Sequence, residues 1–175
     1  MLALGGACGH TKTSAQKALD ALSKGLAAHR AGNLTEAAKD YHEVLALDPN
    51  NKFAYFDLGV IDQAQGRSQA AEANYRQALQ IDPNFTSALF NLAIVRKPVD
   101  AQEAITLYRR LLVVNPNDAA GHLNLGFALL ETGQTAEGNA ELARAVQLDP
   151  SLQSRVTPPQ PTAAATATAT GRTKP

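Results

Sequence analysis

The chain of 175 residues contains a single cysteine, Cys8, and no tryptophan. One cysteine excludes an intramolecular disulfide and a zinc site built from cysteines. Neither charge predominates, because 16 basic residues face 16 acidic ones and the formal net charge is zero. Proteins that bind phosphate backbones usually have a clear basic excess, so nucleic acid is not an expected partner.

The sequence also lacks the motifs of catalysis and of membrane spans. No apolar run approaches the roughly 18 residues needed to cross a bilayer. We find no glycine-rich phosphate loop, serine elbow or paired carboxylates. Asp118 and His122 are one helical turn apart, a spacing that could ligate a metal, but a helix-start charge and a packing residue explain them more simply. We expect no enzymatic activity, cofactor or metal.

What the sequence does contain is a repeat. The motif Asp-Pro-Asn, or a close variant, recurs with its proline at Pro49, Pro83, Pro116 and Pro150. The intervals are 34, 33 and 34 residues. A fixed period of this length is typical of repeat arrays, in which each unit buries its apolar side against its neighbours.

Alignment on these prolines reveals a common pattern of Leu, Gly, Ala and aromatic residues at helical spacing. In the second segment its members are Tyr55, Leu58, Gly59, Ala71, Tyr75 and Pro83. From Ala18 to Pro150 the chain resembles the tetratricopeptide repeat family. The resemblance implies an all-α fold, an α-solenoid of about four helix-turn-helix hairpins in a right-handed superhelix. We place the domain at residues 15–156, with repeats at 18–51, 52–85, 86–118 and 119–152.

The glycines and prolines predict local geometry. We expect close helix approach at the mid-helix glycines and left-handed turns at those between helices. The first set is Gly25, Gly59 and Gly126, and the second is Gly32, Gly66 and Gly133. Asn50, Asn84 and Asn117 are expected to help cap the helices that follow.

Two repeats depart from the pattern. The third has a shorter turn, Lys97-Pro98-Val99-Asp100, in which we expect Pro98 to end one helix and Asp100 to cap the next. In the fourth, Gly138 replaces an alanine, which we expect to weaken the last helix. Ser151 to Val156 is predicted to be too short to cover that helix, which would then stay partly exposed or pair with another chain.

The two ends have a different character. Residues 1–14 are predicted to be a flexible N-terminus or the remnant of a signal peptide. Small apolar residues before Cys8 resemble the lipid-attachment site of a bacterial lipoprotein, although the apolar stretch is short and no basic segment precedes it. Residues 157–175, rich in Pro, Thr and Ala, are predicted to be a disordered tail.

The family resemblance also implies a binding surface, since the first helices of successive repeats line a concave groove. The residues it places there are Leu22, Leu26, Phe56, Asp57, Val60, Phe90, Asn91, Ile94, Leu123, Asn124 and Phe127. Asn91 and Asn124 resemble an asparagine ladder, whose amides bond the backbone of an extended peptide. They could instead bond within the array, and the apolar residues could be ordinary core. The acidic residues Glu36, Glu72, Glu103 and Glu137, one per repeat, are predicted to form a solvated helix face.

The sequence therefore predicts a non-catalytic scaffold or adaptor that binds an apolar protein segment in this groove. A different hypothesis is a self-associating structural lipoprotein of the cell envelope, paired through its last repeat and held at a membrane by Cys8. Both an extracytoplasmic, membrane-anchored location and a cytoplasmic one fit these observations.

Overall fold

The computed structural model describes residues 12–156, which form helices and turns with no strand among them. The helices pair as antiparallel hairpins, so the all-α solenoid architecture is confirmed. The chain divides into two compact units within this range, unit 1 up to Pro116 and unit 2 from Asn117. Cys8 and the Pro/Thr/Ala-rich tail lie outside the described residues.

Unit 1 contains three hairpins. Their helices are α1 Ser14–Arg30 with α2 Leu34–Leu47, α3 Lys52–Ala64 with α4 Ser68–Ile81, and α5 Thr86–Arg96 with α6 Ala101–Val114. Besides the contacts inside each hairpin, α2 packs on α3 and α4 packs on α5. Thr13 begins the first helix with a capping box, since its side chain accepts from the Gln16 backbone while Gln16 bonds back to Thr13.

Unit 2 contains one hairpin and a short C-terminal extension. The hairpin is α7 Ala119–Glu131 with α8 Thr135–Leu148, followed by a 3-10 turn at Pro150–Leu152 and the short helix α9 Gln153–Val156. Leu152 and Val156 pack against the hairpin core formed by Leu123, Leu142 and Ala145. This segment therefore contacts the last hairpin, while α8 stays partly exposed, for example at Ala136, Ala140 and Ala143.

The mid-helix glycines make room for large side chains of the partner helix, as predicted. A Cβ atom on Gly59 would lie 2.5 Å from Cε1 of Tyr75, and one on Gly25 would lie 2.7 Å from Cε1 of Tyr41. Both tyrosines are fully buried. The apolar ring, which fills the hairpin, offsets the cost of a glycine inside a helix.

Gly138 also has a packing role, which the prediction that it weakens the last helix did not include. A Cβ atom there would lie 2.9 Å from the Gly126 carbonyl oxygen and 2.9 Å from Cγ of Leu130. The two glycines thus let the backbones of α7 and α8 approach each other closely. A side chain at either position would push the helices apart.

The turn glycines adopt the predicted left-handed conformation, with φ of 78° at Gly32, 73° at Gly66 and 80° at Gly133. The predicted caps are wrong by one residue. Asn51 and Asp118 cap α3 and α7, whereas Phe85 precedes α5 without a side-chain cap. The backbone N–H of Asn50 instead donates to the carboxylate of Asp48 at 3.3 Å, which closes a local turn.

The third hairpin confirms the predicted short turn, because α5 ends at Arg96 and Asp100 caps α6 through the Glu103 backbone at 2.9 Å. Ion pairs hold this junction. Arg96 bonds Glu103 at 2.5 Å and Glu72 at 3.2 Å. Arg76 bonds the same two carboxylates at 2.6 and 2.8 Å.

This four-residue network joins α4, α5 and α6, and it corrects the prediction of a solvated acidic face. The Glu72 and Glu103 side chains are about three-quarters buried. Although burial of Glu72 favours its neutral form, the bonds from Arg76 and Arg96 lower its pKa below the usual value. Glu36 does fit the prediction, since its side chain is exposed. Its Oε1 lies 3.0 Å from Nζ of Lys39.

Candidate peptide-binding face

Apolar side chains at matching positions of α1, α3 and α5 lie on one side of each helix, and we call them the apolar face of unit 1. Its members are Leu19, Leu22, Leu26, Phe53, Phe56, Val60, Phe90 and Ile94. Spacings of three and four residues place them on a single stripe of each helix. Leu19 is 66% exposed, Phe53 49%, Ile94 37% and Leu26 36%, so the face is not closed by other parts of the described chain.

The aromatic members have one side packed and one side open. Phe56 lies with its ring centroid 5.9 Å from that of Tyr75 and 5.2 Å from that of Phe85. Phe90 stands edge-on to Tyr108 at 5.9 Å. Both phenylalanines remain half-buried. Each phenylalanine is therefore partly a core residue, through its ring contacts, and partly a surface residue that a ligand could contact.

Asp57 lies beside this face with its carboxylate in an unusual setting. It is half-buried and forms no salt bridge with any residue between 12 and 156. Burial raises its pKa to about 6, and the facing His29 and Tyr41 only partly offset this. A carboxylate with a raised pKa on an open surface is a candidate for a binding role.

Tyr41 adds a second unsatisfied group at the same place. Its hydroxyl is completely buried and has no hydrogen-bond partner in the described part of the chain. It faces Asp57 without meeting hydrogen-bond geometry. In the second hairpin the equivalent hydroxyl, on Tyr75, donates to Gln63 at 2.7 Å. His29 occupies the position of Gln63 in the first hairpin and packs edge-on against Tyr41, at 6.4 Å between ring centroids.

The two asparagines of the predicted ladder differ. The Asn124 side chain donates to the carbonyl of Ala120 at 2.9 Å, one turn back on its own helix. The Asn91 side chain is half-buried and makes no hydrogen bond within residues 12–156. Only Asn91 therefore has an amide free for both donation and acceptance.

The predicted site residues in unit 2 are less accessible than those in unit 1. Leu123 is fully buried, so its assignment to the binding surface is corrected to core. Phe127 is half-buried and packs against the same cluster as Leu152 and Val156. Residues at and beyond the end of the last repeat thus contribute to the packing around these side chains.

Sequence reasoning missed Leu19, Phe53, His29 and Tyr41. The first two could have been found, because each lies one turn before a predicted member on the same helical stripe. The polar neighbours of Asp57 come from two other helices, and no sequence spacing indicates them. Asp118 caps α7 through the Gly121 N–H at 2.7 Å, as the simpler interpretation expected. His122 instead contacts Glu141 on α8, with 2.5 Å between Nδ1 and Oε2.

Among the described helices, none is both long and apolar enough to span a membrane.

Comparison with known families supports the repeat pattern. A family model described as "Tetratricopeptide repeat" matches residues 22–84, and one described as "TPR repeat" matches residues 100–133. Together they span more than half of the chain. A search of curated proteins finds no match.

Solved structures with a similar fold come from several proteins. A crystal structure of MamA aligns with a TM-score of 0.71 at 19% identity, over 77% of this chain and 79% of MamA. The pilF protein of Pseudomonas aeruginosa aligns at 0.69 and 21% identity, over 78% of this chain and 63% of pilF. The TPR domain of Arabidopsis OM64 aligns at 0.64 and 21% identity, over 67% of this chain and 98% of that domain. At these identities the likeness concerns the fold.

Proposed function

Because the chain is a tetratricopeptide repeat protein, we propose that it is a scaffold that binds an extended, largely apolar segment of a partner protein on the apolar face of unit 1. Domains of this family are typically scaffolds rather than catalysts. Recognition of this kind combines pockets for side chains with hydrogen bonds to the peptide backbone.

The observation that supports this proposal most is the exposure of Leu19, Leu26, Phe53 and Ile94 at repeating positions of successive helices. Single exposed apolar residues are common, but their exposure at corresponding positions of successive repeats favours a partner site. The amide of Asn91, which is unbonded within residues 12–156, follows Phe90 on α5 and can pair with one peptide group. Burial of such a row contributes about 25 cal/mol per Å² of apolar surface.

Self-association through the last repeat is less favoured. None of the large apolar side chains of residues 117–156 is exposed, and Leu152 and Val156 pack on the hairpin that was expected to seek a second chain. The remaining support for the lipoprotein hypothesis is Cys8, which lies outside the described residues. We therefore propose binding through unit 1 alone.

The test is affinity capture with mass spectrometry from cells that produce the protein, using the full chain. Leu26→Glu combined with Ile94→Glu places two charges on the apolar face. The matched control, Val99→Glu with Val113→Glu, introduces the same charges at valines that are 74% and 84% exposed and lie off this face. Both variants should retain the helical circular dichroism of the wild type.

We expect the first variant to lose its main partner and the control to retain it, because a buried glutamate without a cation is costly. Asn91→Ala should weaken the capture without abolishing it, since it removes only the amide contacts. A partner that remains bound to the Leu26/Ile94 variant as strongly as to the control would disprove this binding surface.

A further inference from the structure

Asp57 is the one charged residue in the polar column that runs beside the apolar face of unit 1. The equivalent positions on α1 and α5 are Ser23 and Asn91, which are neutral. The carboxylate is half-buried and unpaired within residues 12–156, and the fully buried Tyr41 hydroxyl beneath it is unbonded. A carboxylate that lies beside an apolar face and has no ion pair within residues 12–156 restricts which ligand can cover it.

We propose that Asp57 binds a lysine or arginine side chain of the partner segment, so that the apolar face of unit 1 selects a basic residue flanked by apolar ones. The inference rests on the proposed function, because it specifies the chemistry of the segment that occupies this face. Asp57 would then determine specificity, although the residues at the same position of the neighbouring hairpins are neutral.

Desolvation is the physical reason for this specificity. A segment that covers the face removes water from Asp57, and a buried carboxylate is very costly unless it is paired. A carboxylate can only accept hydrogen bonds, so the compensating group must be a donor, and a cation also neutralises the charge. An acidic side chain at the same place would be rejected by repulsion.

No ion pair within residues 12–156 supplies that cation. His29 on α1 faces Asp57 and favours its charged form, but the two residues form no ion pair in the described chain. Arg30, the next basic residue on α1, donates its Nε–H to the Leu26 carbonyl at 3.3 Å. The groups that face Asp57 from α2 and α4 are Tyr41 and Tyr75, which cannot provide positive charge.

A random 12-residue peptide library displayed on phage tests the proposal, with the full chain as bait. The baits are the wild type, Asp57→Asn and the matched control Glu43→Gln, which removes a carboxylate from an exposed position on α2. We expect peptides selected by the wild type and the control to be enriched in Lys or Arg beside apolar residues. With Asp57→Asn the basic enrichment should disappear while the apolar preference remains.

Equal basic enrichment on Asp57→Asn, or none on the wild type, would overturn the inference and leave the apolar face intact. If the selected peptides bind the Leu26→Glu, Ile94→Glu variant unchanged, the proposed function fails and the inference fails with it. The two failures are therefore distinguishable.

A double-mutant cycle then tests the contact itself. The best wild-type peptide is compared with a version in which its basic residue is norleucine, against each bait. Either change alone should weaken binding about tenfold, and the two together should weaken it little further, because they remove the same charge pair. Independent, multiplying losses would show that the basic residue binds elsewhere.

Discussion

Unit 1 and unit 2 are built from the same kind of hairpin, but they differ in how much of their large apolar side chains is exposed. Within the described residues, every exposed large apolar side chain belongs to unit 1. In unit 2 the corresponding residues are buried or packed, and the extension at residues 150–156 covers part of the hairpin. Asn91 and Asn124 show the same contrast, since only the second is bonded to its own helix. The repeat architecture alone thus does not determine where a surface is available.

The largest change in folding stability should come from replacing a mid-helix glycine. The hairpins differ here, because the side chain that faces the glycine is a tyrosine in the second hairpin and a leucine in the fourth. Gly59→Ala would force a methyl group to within 2.5 Å of the buried Tyr75 ring. We expect a loss of about 2–3 kcal/mol in the free energy of unfolding, because overpacking outweighs the gain in helix propensity. Urea denaturation followed by circular dichroism measures this loss.

Gly126→Ala in unit 2 is the matched comparison. Its methyl group would meet the flexible end of Leu142 at 2.7 Å and the Gly138 carbonyl oxygen at 3.0 Å. Because a leucine can change rotamer more easily than a packed ring can move, we expect a smaller loss, about 1–2 kcal/mol. A cost as large as that of Gly59→Ala would contradict the difference between the units.

The covering of unit 2 makes a second prediction. Leu152→Ser with Val156→Ser removes the apolar contacts that this extension makes with the hairpin, and we expect a loss of about 1–2 kcal/mol. Hydrogen exchange should accelerate in α7 and α8 and stay unchanged in α1 to α4. Leu19→Ser is the control, since that side chain is already 66% exposed. Unaltered exchange in α7 and α8 would show that the extension does not stabilise unit 2.

The smallest effect concerns Asp57 and has the opposite sign. Its folded pKa is raised to about 6 by burial, above the value near 4 of an unfolded aspartate. The folded state therefore holds this proton more tightly, and the wild type loses stability as the pH rises from about 4 through 6. Asp57→Asn removes that cost, so the variant should be more stable at pH 8.

We expect a gain of about 1 kcal/mol at pH 8 that vanishes near pH 4, the full shift being reduced by solvent screening of a half-exposed carboxyl. Thermal unfolding of wild type, Asp57→Asn and Glu43→Gln at both pH values measures it. A gain that is equal at pH 4 and pH 8 would mean that the ionised carboxylate is not the cause.

The sequence was sufficient for the hairpins because their determinants are local. A proline after Asp or Asn ends each second helix, and a glycine such as Gly66 provides a left-handed turn with no cost from a side chain. A local error, the capping residue of α3, arose because Asp48 bonds the N–H of Asn50 and the side chain of Asn51 caps the helix instead. Competition between adjacent side chains of similar chemistry is difficult to resolve from sequence.

The accessibility of the site was not predictable because it depends on residues outside the repeat pattern. Leu123 and Phe127 match the positions of Phe90 and Ile94, yet residues from the C-terminal extension pack on the same cluster as Phe127. The polar neighbours of Asp57 likewise come from α1 and α2, more than ten residues away along the chain. Residues at the same position of two repeats can therefore differ in exposure.

The ion network of the third hairpin has a consequence for engineering. When a turn glycine connects the two helices of a hairpin, the turn needs no residue from another hairpin. Such a hairpin can be duplicated or exchanged as a unit. The third hairpin cannot be transplanted alone, because Arg96 and Glu103 bond to Glu72 and Arg76 of the preceding hairpin. Any shuffled array should therefore keep residues 52–114 together, which places the natural cut points before Lys52 and after Val114.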